Sequence, residues 1–190
     1  LNFLALLGWA LDEKTEIISR QQLIENFSLE KVSRTAAIFN REKLDWMNGV
    51  YIRSLSLDDF TARIIPFLER DLPPQVKRPL DVEYVKEIAR LVQERIKTLA
   101  EVTQLTSFFW EDKLDYPAEQ LLIKGADYDL TSHALNVAKL TLEQTKFKVD
   151  LLEQKFRSLA EVLNLKAGQL FSSIRIAVTG RSVSPPLFET

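Results

Sequence analysis

The sequence predicts an all-α protein, and three observations support this expectation. Apolar residues recur at intervals of three and four along most of the chain, as on one face of a helix. The strict alternation of apolar and polar residues that is typical of strands is nearly absent. Residues that begin helices repeatedly precede the amphipathic stretches. With 190 residues, 46% of them hydrophobic, the chain is long enough for one large core or two small ones.

The first part of the chain is predicted to form short helices. The apolar opening over residues 1–11 has no basic segment before it and no small-residue cleavage site after it, so we interpret it as a core helix. Three helix starts follow, namely the capping box of Ser19 with Gln22, Asn40 before a helix over 41–52, and Ser56 with Asp59 before a helix reaching Leu68.

A proline-rich loop and a long helix are predicted for the middle of the chain. Residues 72–79 contain three prolines and cannot be helical throughout, so they form a loop that marks one subdomain edge. Asp81 is then expected to cap a helix from Val82 to about Val102, with an apolar stripe on one face and charge on the opposite face.

Two longer helices are predicted after a second loop that contains Gly125. Thr131 is expected to cap a helix reaching about Leu142, and Thr145 is expected to cap the last long helix. The buried side of that last helix should comprise Phe147, Leu151, Leu152, Phe156, Leu159 and Leu163.

The last eighteen residues predict a helix end and a new helix start. Gly180 is expected to end a short amphipathic helix, and Ser184 is expected to cap a new helix with Pro185 in its first turn. That helix would barely have begun at Thr190, so we expect the chain to be a piece of a longer protein.

Composition excludes several function classes. The net charge of −2 gives no basic excess of the kind that dedicated nucleic-acid binders carry, although eight basic residues face five acidic ones from Lys139 onward. The absence of cysteine excludes disulfides and cysteine-ligated zinc. A chain without disulfides is typical of proteins in the reducing cytoplasm. His133 is the single histidine and completes neither a metal site nor a catalytic nucleophile. No apolar run approaches the roughly 20 residues of a membrane span.

Two features stand out as candidate contact sites. Arg95 lies at the edge of the predicted apolar stripe, where a cation needs an acidic partner, a route to water or an external acceptor. The corner at Ser184 and Pro185 has few N–H donors and presents Leu187 and Phe188, which suits unstacked RNA bases. From the residues alone, an ion pair for Arg95 and an ordinary helix start with core residues at the corner remain alternatives.

Three stretches in the same order are similar to one family. They are Leu1–Trp9, Phe39–Arg53 and the C-terminal run from Leu165 through Phe188. They resemble the segment after the catalytic domain, the helix-bearing connector and the anticodon-binding region of bacterial-type glutamyl-tRNA synthetases. In that family a Leu-Arg-x-Ala-Leu-Thr-Gly run leads into a Ser/Thr-Pro-x-Leu-Phe-Glu turn. Here Ser172 and Ser173 stand where the family often has Gln-Pro.

The resemblance implies a small helical connector over residues 1–57 and a two-part helical anticodon-binding cage over 58–128 and 129–190, truncated at its C-terminus. Arg95 falls where an arginine reads the third anticodon base in those members of the family that charge only glutamate tRNA. Arg175 and Leu187 match the residues that contact the first anticodon base. Ser184, Pro185 and Phe188 would complete the same tRNA-binding corner.

The resemblance also implies the partners. The parent enzyme would join glutamate to its tRNA with ATP and Mg²⁺ in the cytoplasm. This chain would hold no cofactor, metal or catalytic residue and would be inactive alone. Its partners would be glutamate tRNA and the missing catalytic domain, with no DNA and no membrane. The rival hypothesis is a helical protein-interaction module without RNA binding, which composition alone favours.

Overall fold

The computed structural model describes residues 1–34 and 36–190, and this part of the chain contains helices and turns but no strand. The all-α prediction is confirmed. The α-helices are α1 (Asn2–Ala5), α2 (Arg20–Asn26), α3 (Arg41–Arg53), α4 (Leu57–Asp71), α5 (Val82–Val92), α6 (Glu101–Thr106), α7 (Tyr128–Gln144), α8 (Val149–Val162) and α9 (Ala167–Thr179). Short 3₁₀ turns lie at Leu29–Lys31, Ser107–Trp110 and Ala118–Leu121.

The first unit contains α1, α2 and α3 and has a small core of its own. Trp9, Ile18 and Leu23 form this core and are almost fully buried. The side-chain oxygen of Asn2 accepts hydrogen bonds from the Ile18 amide at 3.0 Å and from the Tyr51 hydroxyl at 2.8 Å. These two bonds tie the start of the chain to the segment before α2 and to α3.

The predicted core helix over residues 1–11 is wrong. α1 ends at Ala5, and the side chains of Leu1 and Leu4 are 82% and 67% exposed. Gly8 has a low helix propensity, and its carbonyl oxygen accepts a hydrogen bond from the Ser33 amide at 2.6 Å instead of continuing a helix. The apolar opening therefore lies partly on the surface.

The four predicted helix starts before residue 82 are confirmed. Each capping side chain accepts a hydrogen bond from a backbone amide in the first helical turn, which satisfies a donor that has no partner within the helix. The bonds run from Gln22 to Ser19 (3.1 Å), from Lys43 to Asn40 (2.9 Å), from Asp59 to Ser56 (3.1 Å) and from Glu83 to Asp81 (2.9 Å).

The second unit is built by α4, α5 and α6. Its fully buried core contains Phe60, Ile64, Val85, Ala89, Val92, Ile96 and Val102. The predicted irregular loop over residues 72–79 is confirmed. The Arg78 guanidinium holds this loop by donating to the backbone carbonyls of Glu69, Leu72, Pro73 and Val76.

The long helix predicted from Val82 to Val102 is interrupted after Val92. The Gln93 side chain donates to the carbonyls of Ile52 at 3.0 Å and Leu55 at 2.9 Å, which ties this point of the chain to the end of α3. A new helix, α6, begins at Glu101, and its N-cap residue Ala100 makes no side-chain capping bond. The Glu101 carboxylate accepts hydrogen bonds from the Lys97 amide and the Thr98 hydroxyl, which lie in the segment before the helix.

The third unit is built by α7, α8 and α9, and its buried core includes Ile123, Ala134, Phe156, Leu170 and Ile174. Two predicted caps are wrong here. Asp127 caps α7 by accepting the Leu130 amide at 2.8 Å, whereas Thr131 is buried and accepts the Ile123 amide at 3.2 Å. Thr145 ends α7 instead of beginning α8, and its hydroxyl accepts from the Lys155 ammonium at 2.9 Å.

Phe147 and Phe156, both predicted to be buried, provide a test of the third core. Phe147 precedes α8 and is 78% exposed, whereas Phe156 is 1% exposed. We expect Phe156→Ala to lower the free energy of unfolding by about 3–5 kcal/mol, because it leaves a cavity. Phe147→Ala is the matched control and should change it by no more than about 0.5 kcal/mol. Urea unfolding measures both, and equal losses would contradict the placement of the two rings.

Candidate nucleic-acid interface

The end of α9 reverses the chain direction, as the sequence predicts. Gly180 adopts a left-handed conformation with φ of 69°, and its amide donates to the Ile176 carbonyl at 2.8 Å. The helix itself is longer than predicted, since it begins at Ala167. Because of this reversal, the residues after Gly180 pass back beside α9.

The helix predicted to begin at Ser184 is absent, because residues 181–190 form bends and turns. The Ser184 hydroxyl does not cap a helix: it accepts from Arg175 Nη1 at 2.6 Å and donates to the Pro185 carbonyl at 2.9 Å. A residue that precedes proline is disfavoured in the helical region, and Pro185 precedes Pro186. Two consecutive prolines therefore prevent a helix from starting at this corner.

Arg175 connects α9 to the corner. Its Nη1 group donates to the Ser184 hydroxyl and, at 2.7 Å, to the Pro185 carbonyl. Burial lowers the pKa of the Arg175 guanidinium, and the positive charge of Arg95 lowers it further. Arginine nevertheless stays charged in proteins. The fold thus brings Arg95 and Arg175 near each other, although they lie in different units.

Arg95 lies in the turn after α5, rather than on the helix where the sequence analysis placed it. Its amide donates to the Val92 carbonyl at 2.8 Å, a tight-turn bond, and its side chain is exposed. It lines a cleft of about 740 Å³ between the second and third units. The cleft is lined by Arg95, Glu101, Gln104, Leu105, Gln120, Gly180, Arg181, Ser182, Val183 and Ser184.

Neither of the two arginines has an acidic partner among the described residues. Across residues 1–34 and 36–190, no salt bridge within 4 Å involves Arg95 or Arg175. Glu101 lines the same cleft, but its carboxylate oxygens accept from the Lys97 amide and the Thr98 hydroxyl. The alternative that Arg95 forms an internal ion pair therefore has no support in the described structure.

Leu187 and Phe188 lie on a different surface. They line a second, largely apolar groove of about 430 Å³, which Phe147 and Phe156 also line. The Phe188 ring stacks on Phe156 with centroids 5.9 Å apart and meets the Phe171 ring edge-on at 5.1 Å. The structure thus brings Arg95, Arg175 and Ser184 together, and Pro185 beside them is buried. It places Leu187 and Phe188 apart from these residues, beside the third core.

Arg181 is a cleft residue that the sequence analysis did not single out. Its guanidinium pairs with Glu111 at 3.1 Å, so it reaches from the third unit to the second. The excess of basic residues after Lys139 includes Arg181, but only the fold shows where its side chain lies.

Neither a metal site nor a membrane helix emerges from the described residues. Within 1–34 and 36–190, no group of three or more His, Asp or Glu side chains is arranged to hold a metal ion. In the same residues, no helix combines the length and the apolar character needed to cross a membrane.

The comparison with known families identifies the larger part of the chain. A family model described as "Anticodon binding domain" matches residues 59–190. The chain belongs to this anticodon-binding domain family. A second family model, described as "tRNA synthetases class I (E and Q), catalytic domain", matches residues 1–46, which the sequence analysis assigned to the connector. The division into residues 1–57, 58–128 and 129–190 stays a prediction.

Curated relatives confirm the resemblance to glutamyl-tRNA synthetases. A glutamate–tRNA ligase of Dehalococcoides mccartyi is 49% identical over 100% of this chain and 40% of the relative, and one of Roseiflexus castenholzii is 43% identical over 100% and 38%. The chain thus spans about two fifths of the length of these relatives.

A solved structure confirms the fold. The crystal structure of a glutamate tRNA ligase from Elizabethkingia meningosepticum in complex with its amino acid superposes with a TM-score of 0.76. The superposition covers 99% of this chain and 36% of the other at 22% identity.

Proposed function

We propose that the chain is the anticodon-recognising part of a glutamate–tRNA ligase. The observation that carries this proposal is that Arg95 lines the same cleft as Ser184, which Arg175 holds by a hydrogen bond from the third unit, and that within the described residues neither arginine has an acidic partner. Two like charges held close together repel each other, so an anion or an electron-rich group between them is favourable. RNA supplies both, as phosphates and as base edges.

The arrangement of donors suits bases more specifically. A guanidinium is a rigid planar fork that matches the acceptors of a base edge in pairs. Arg175 uses Nη1 to hold the Ser184 and Pro185 corner, which fixes the direction of its remaining donors. Arg95 extends from an exposed turn into the cleft. We assign the third anticodon base to Arg95 and the first to Arg175 at the corner of Ser184 and Pro185. Leu187 and Phe188 follow this corner in the chain and line the neighbouring apolar groove, so we assign them the apolar contact with a base that enters that groove.

The proposed partner within the same polypeptide is the rest of the catalytic domain. An apolar groove of about 530 Å³ lies in the first unit, lined by Leu1, Leu4, Trp9, Ile24 and Phe27 among others. The Trp9 indole N–H is buried and finds no acceptor among residues 1–34 and 36–190. A packed segment with backbone carbonyls would cover this surface and satisfy that donor.

The parent enzyme would attach glutamate to its tRNA with ATP and Mg²⁺ in the cytoplasm. We place the sites for ATP and Mg²⁺ in the catalytic domain, of which this chain matches only a part, over residues 1–46. This chain would hold the tRNA by its anticodon, so that the acceptor end reaches the catalytic domain.

The first test is binding of the purified chain to glutamate tRNA. We expect it to prefer the glutamate anticodon over a changed one, with an affinity that falls steeply as salt rises, because phosphate contacts release counterions. Glutamate-dependent pyrophosphate exchange should equal the blank without enzyme. The rival hypothesis, a protein-interaction module, predicts no anticodon preference, and that result would overturn the proposal.

Arg95→Gln tests the reading of the third anticodon base. We expect a loss of about 1–3 kcal/mol of discrimination between glutamate tRNA and a third-base variant, with the cost falling on the cognate tRNA. Arg90→Gln is the matched control, because Arg90 lies on α5, is exposed and pairs with Glu87 instead of lining the cleft. Filter binding with both tRNAs measures the effect. Equal losses for the two tRNAs would mean that Arg95 does not read the base.

Leu187→Ala tests whether the apolar groove contributes to base binding. We expect tRNA binding to weaken by about 1 kcal/mol, the order of one lost base contact, with a smaller fall in Tm than the comparison variant shows, because Leu187 is only partly buried against the third core. Phe188→Ala is the comparison variant, and it should lower Tm clearly because the ring packs on Phe156 and Phe171. If Leu187→Ala instead lowers Tm and reduces binding only in proportion to the folded fraction, Leu187 is a core residue.

A further inference from the structure

Among the described residues, one ion pair joins the second and third units. Of the salt bridges in the described residues, only Arg181 with Glu111 connects the α4–α6 unit to the α7–α9 unit, at 3.1 Å. It is also the only pair in which both side chains are less than 30% exposed, at 27% and 28%. Partial burial reduces screening by water and salt, so this pair is stronger than an exposed one.

Arg181 makes further contacts on the second unit. Its Nη1 group donates to the Gln104 carbonyl, and its Nη2 group donates to the Ser107 hydroxyl at 2.5 Å. The guanidinium also lies over the Phe108 ring, 5.9 Å from the centroid. We call these contacts, together with the Glu111 pair, the Arg181 bridge. Several charge-assisted bonds from one planar group fix direction as well as distance.

The backbone before Arg181 is fixed as well. Gly180 takes the left-handed conformation that ends α9. The Arg181 amide donates to the Thr179 hydroxyl at 3.3 Å, and that hydroxyl donates to the Arg175 carbonyl at 2.7 Å. The Arg181 bridge therefore begins two residues after the end of α9, whose C-terminal part carries Arg175.

On the opposite side, the bridge ends on the helix that borders Arg95. Gln104 lies in α6 and lines the cleft with Arg95. The bridge thus connects the element that carries Arg175 to the unit that carries Arg95. The two unpaired arginines repel each other, and in the free protein this repulsion acts to open the cleft. The attraction of Arg181 to Glu111 opposes it.

We propose that Arg181 is a positioning residue that sets the spacing of Arg95 and Arg175, so that both anticodon bases are read together. This inference rests on the proposed function. With the bridge in place, both arginines are held at the spacing needed before RNA binds. Without the bridge, the two units must be aligned when RNA binds to both arginines, and this ordering weakens the observed affinity. An RNA that offers only one correct base does not need that alignment.

The RNA test uses Arg181→Met, which removes the charge and donors but keeps an unbranched side chain. Affinities are measured for glutamate tRNA and for transcripts with the first base, the third base or both changed. We expect Arg181→Met to lose about tenfold in affinity for the unchanged anticodon and almost nothing for the doubly changed one. Discrimination at each base should shrink accordingly. A variant that merely unfolds would lose affinity for all four transcripts in the same proportion, and that outcome would overturn the proposal.

Arg157→Met is the matched control. Arg157 also pairs with a glutamate, Glu153, and lies over a phenyl ring, Phe171 at 5.5 Å, but all three residues belong to the third unit. It should leave the discrimination unchanged, and an equal loss in both variants would contradict the proposal. Glu111→Gln should reproduce much of the Arg181→Met effect and add little to it, because the two residues act as one pair.

A measurement without RNA separates this proposal from the proposed function. The chain has no cysteine, so spin labels can be placed at Glu83→Cys on α5 and Glu161→Cys on α8, both exposed positions. We expect Arg181→Met, but not Arg157→Met, to broaden the distance distribution between the labels. An unchanged distribution overturns the positioning role. If the distance distribution broadens in Arg181→Met but the chain without substitutions does not distinguish the four transcripts, the proposed anticodon function is wrong. In that case Arg181 still positions the two units.

Discussion

The candidate interface depends on the reversal of the chain at Gly180. A left-handed backbone at the end of α9 turns the following residues back along the helix. This reversal lets Arg175 hold the Ser184 corner and lets Arg181 reach Glu111 in the other unit. Any other residue at position 180 would be strained because of the positive φ. Space is not the constraint, since a Cβ atom there would lie 3.5 Å from the Tyr116 ring, an ordinary contact distance.

Local charge decides function here more than the net charge does. A total of −2 argues against RNA binding, yet the acidic residues near the cleft already have partners. Glu111 is paired with Arg181, and Glu101 accepts hydrogen bonds from the Lys97 amide and the Thr98 hydroxyl. These carboxylates are thus engaged within the protein, while Arg95 and Arg175 form no salt bridge in the part of the chain that the structure describes. Net charge sums over a whole surface, whereas a ligand responds to the potential of one cleft.

The sequence predicted helix starts correctly where no distant donor competes with the first-turn amides for the capping side chain. Ser19, Asn40, Ser56 and Asp81 cap helices as expected, because capping bonds lie within three residues of the cap. Thr131 and Thr145 have the same chemistry, but their hydroxyls accept from Ile123 and Lys155 in the folded chain. A threonine signal is therefore ambiguous whenever a more distant donor reaches it.

The sequence by itself determined the all-α class, the proline-rich loop, the helix end at Gly180 and, through ordered motifs, the resemblance to one family. These features depend on short-range hydrogen bonds, backbone restriction and the period of apolar residues. The tertiary structure alone decided that α5 ends at Val92, that Arg95 faces a cleft with Ser184, and that Phe188 packs beside Phe156. Those outcomes depend on contacts between residues far apart in the chain, and a local pattern contains no information about which distant group fills a given space.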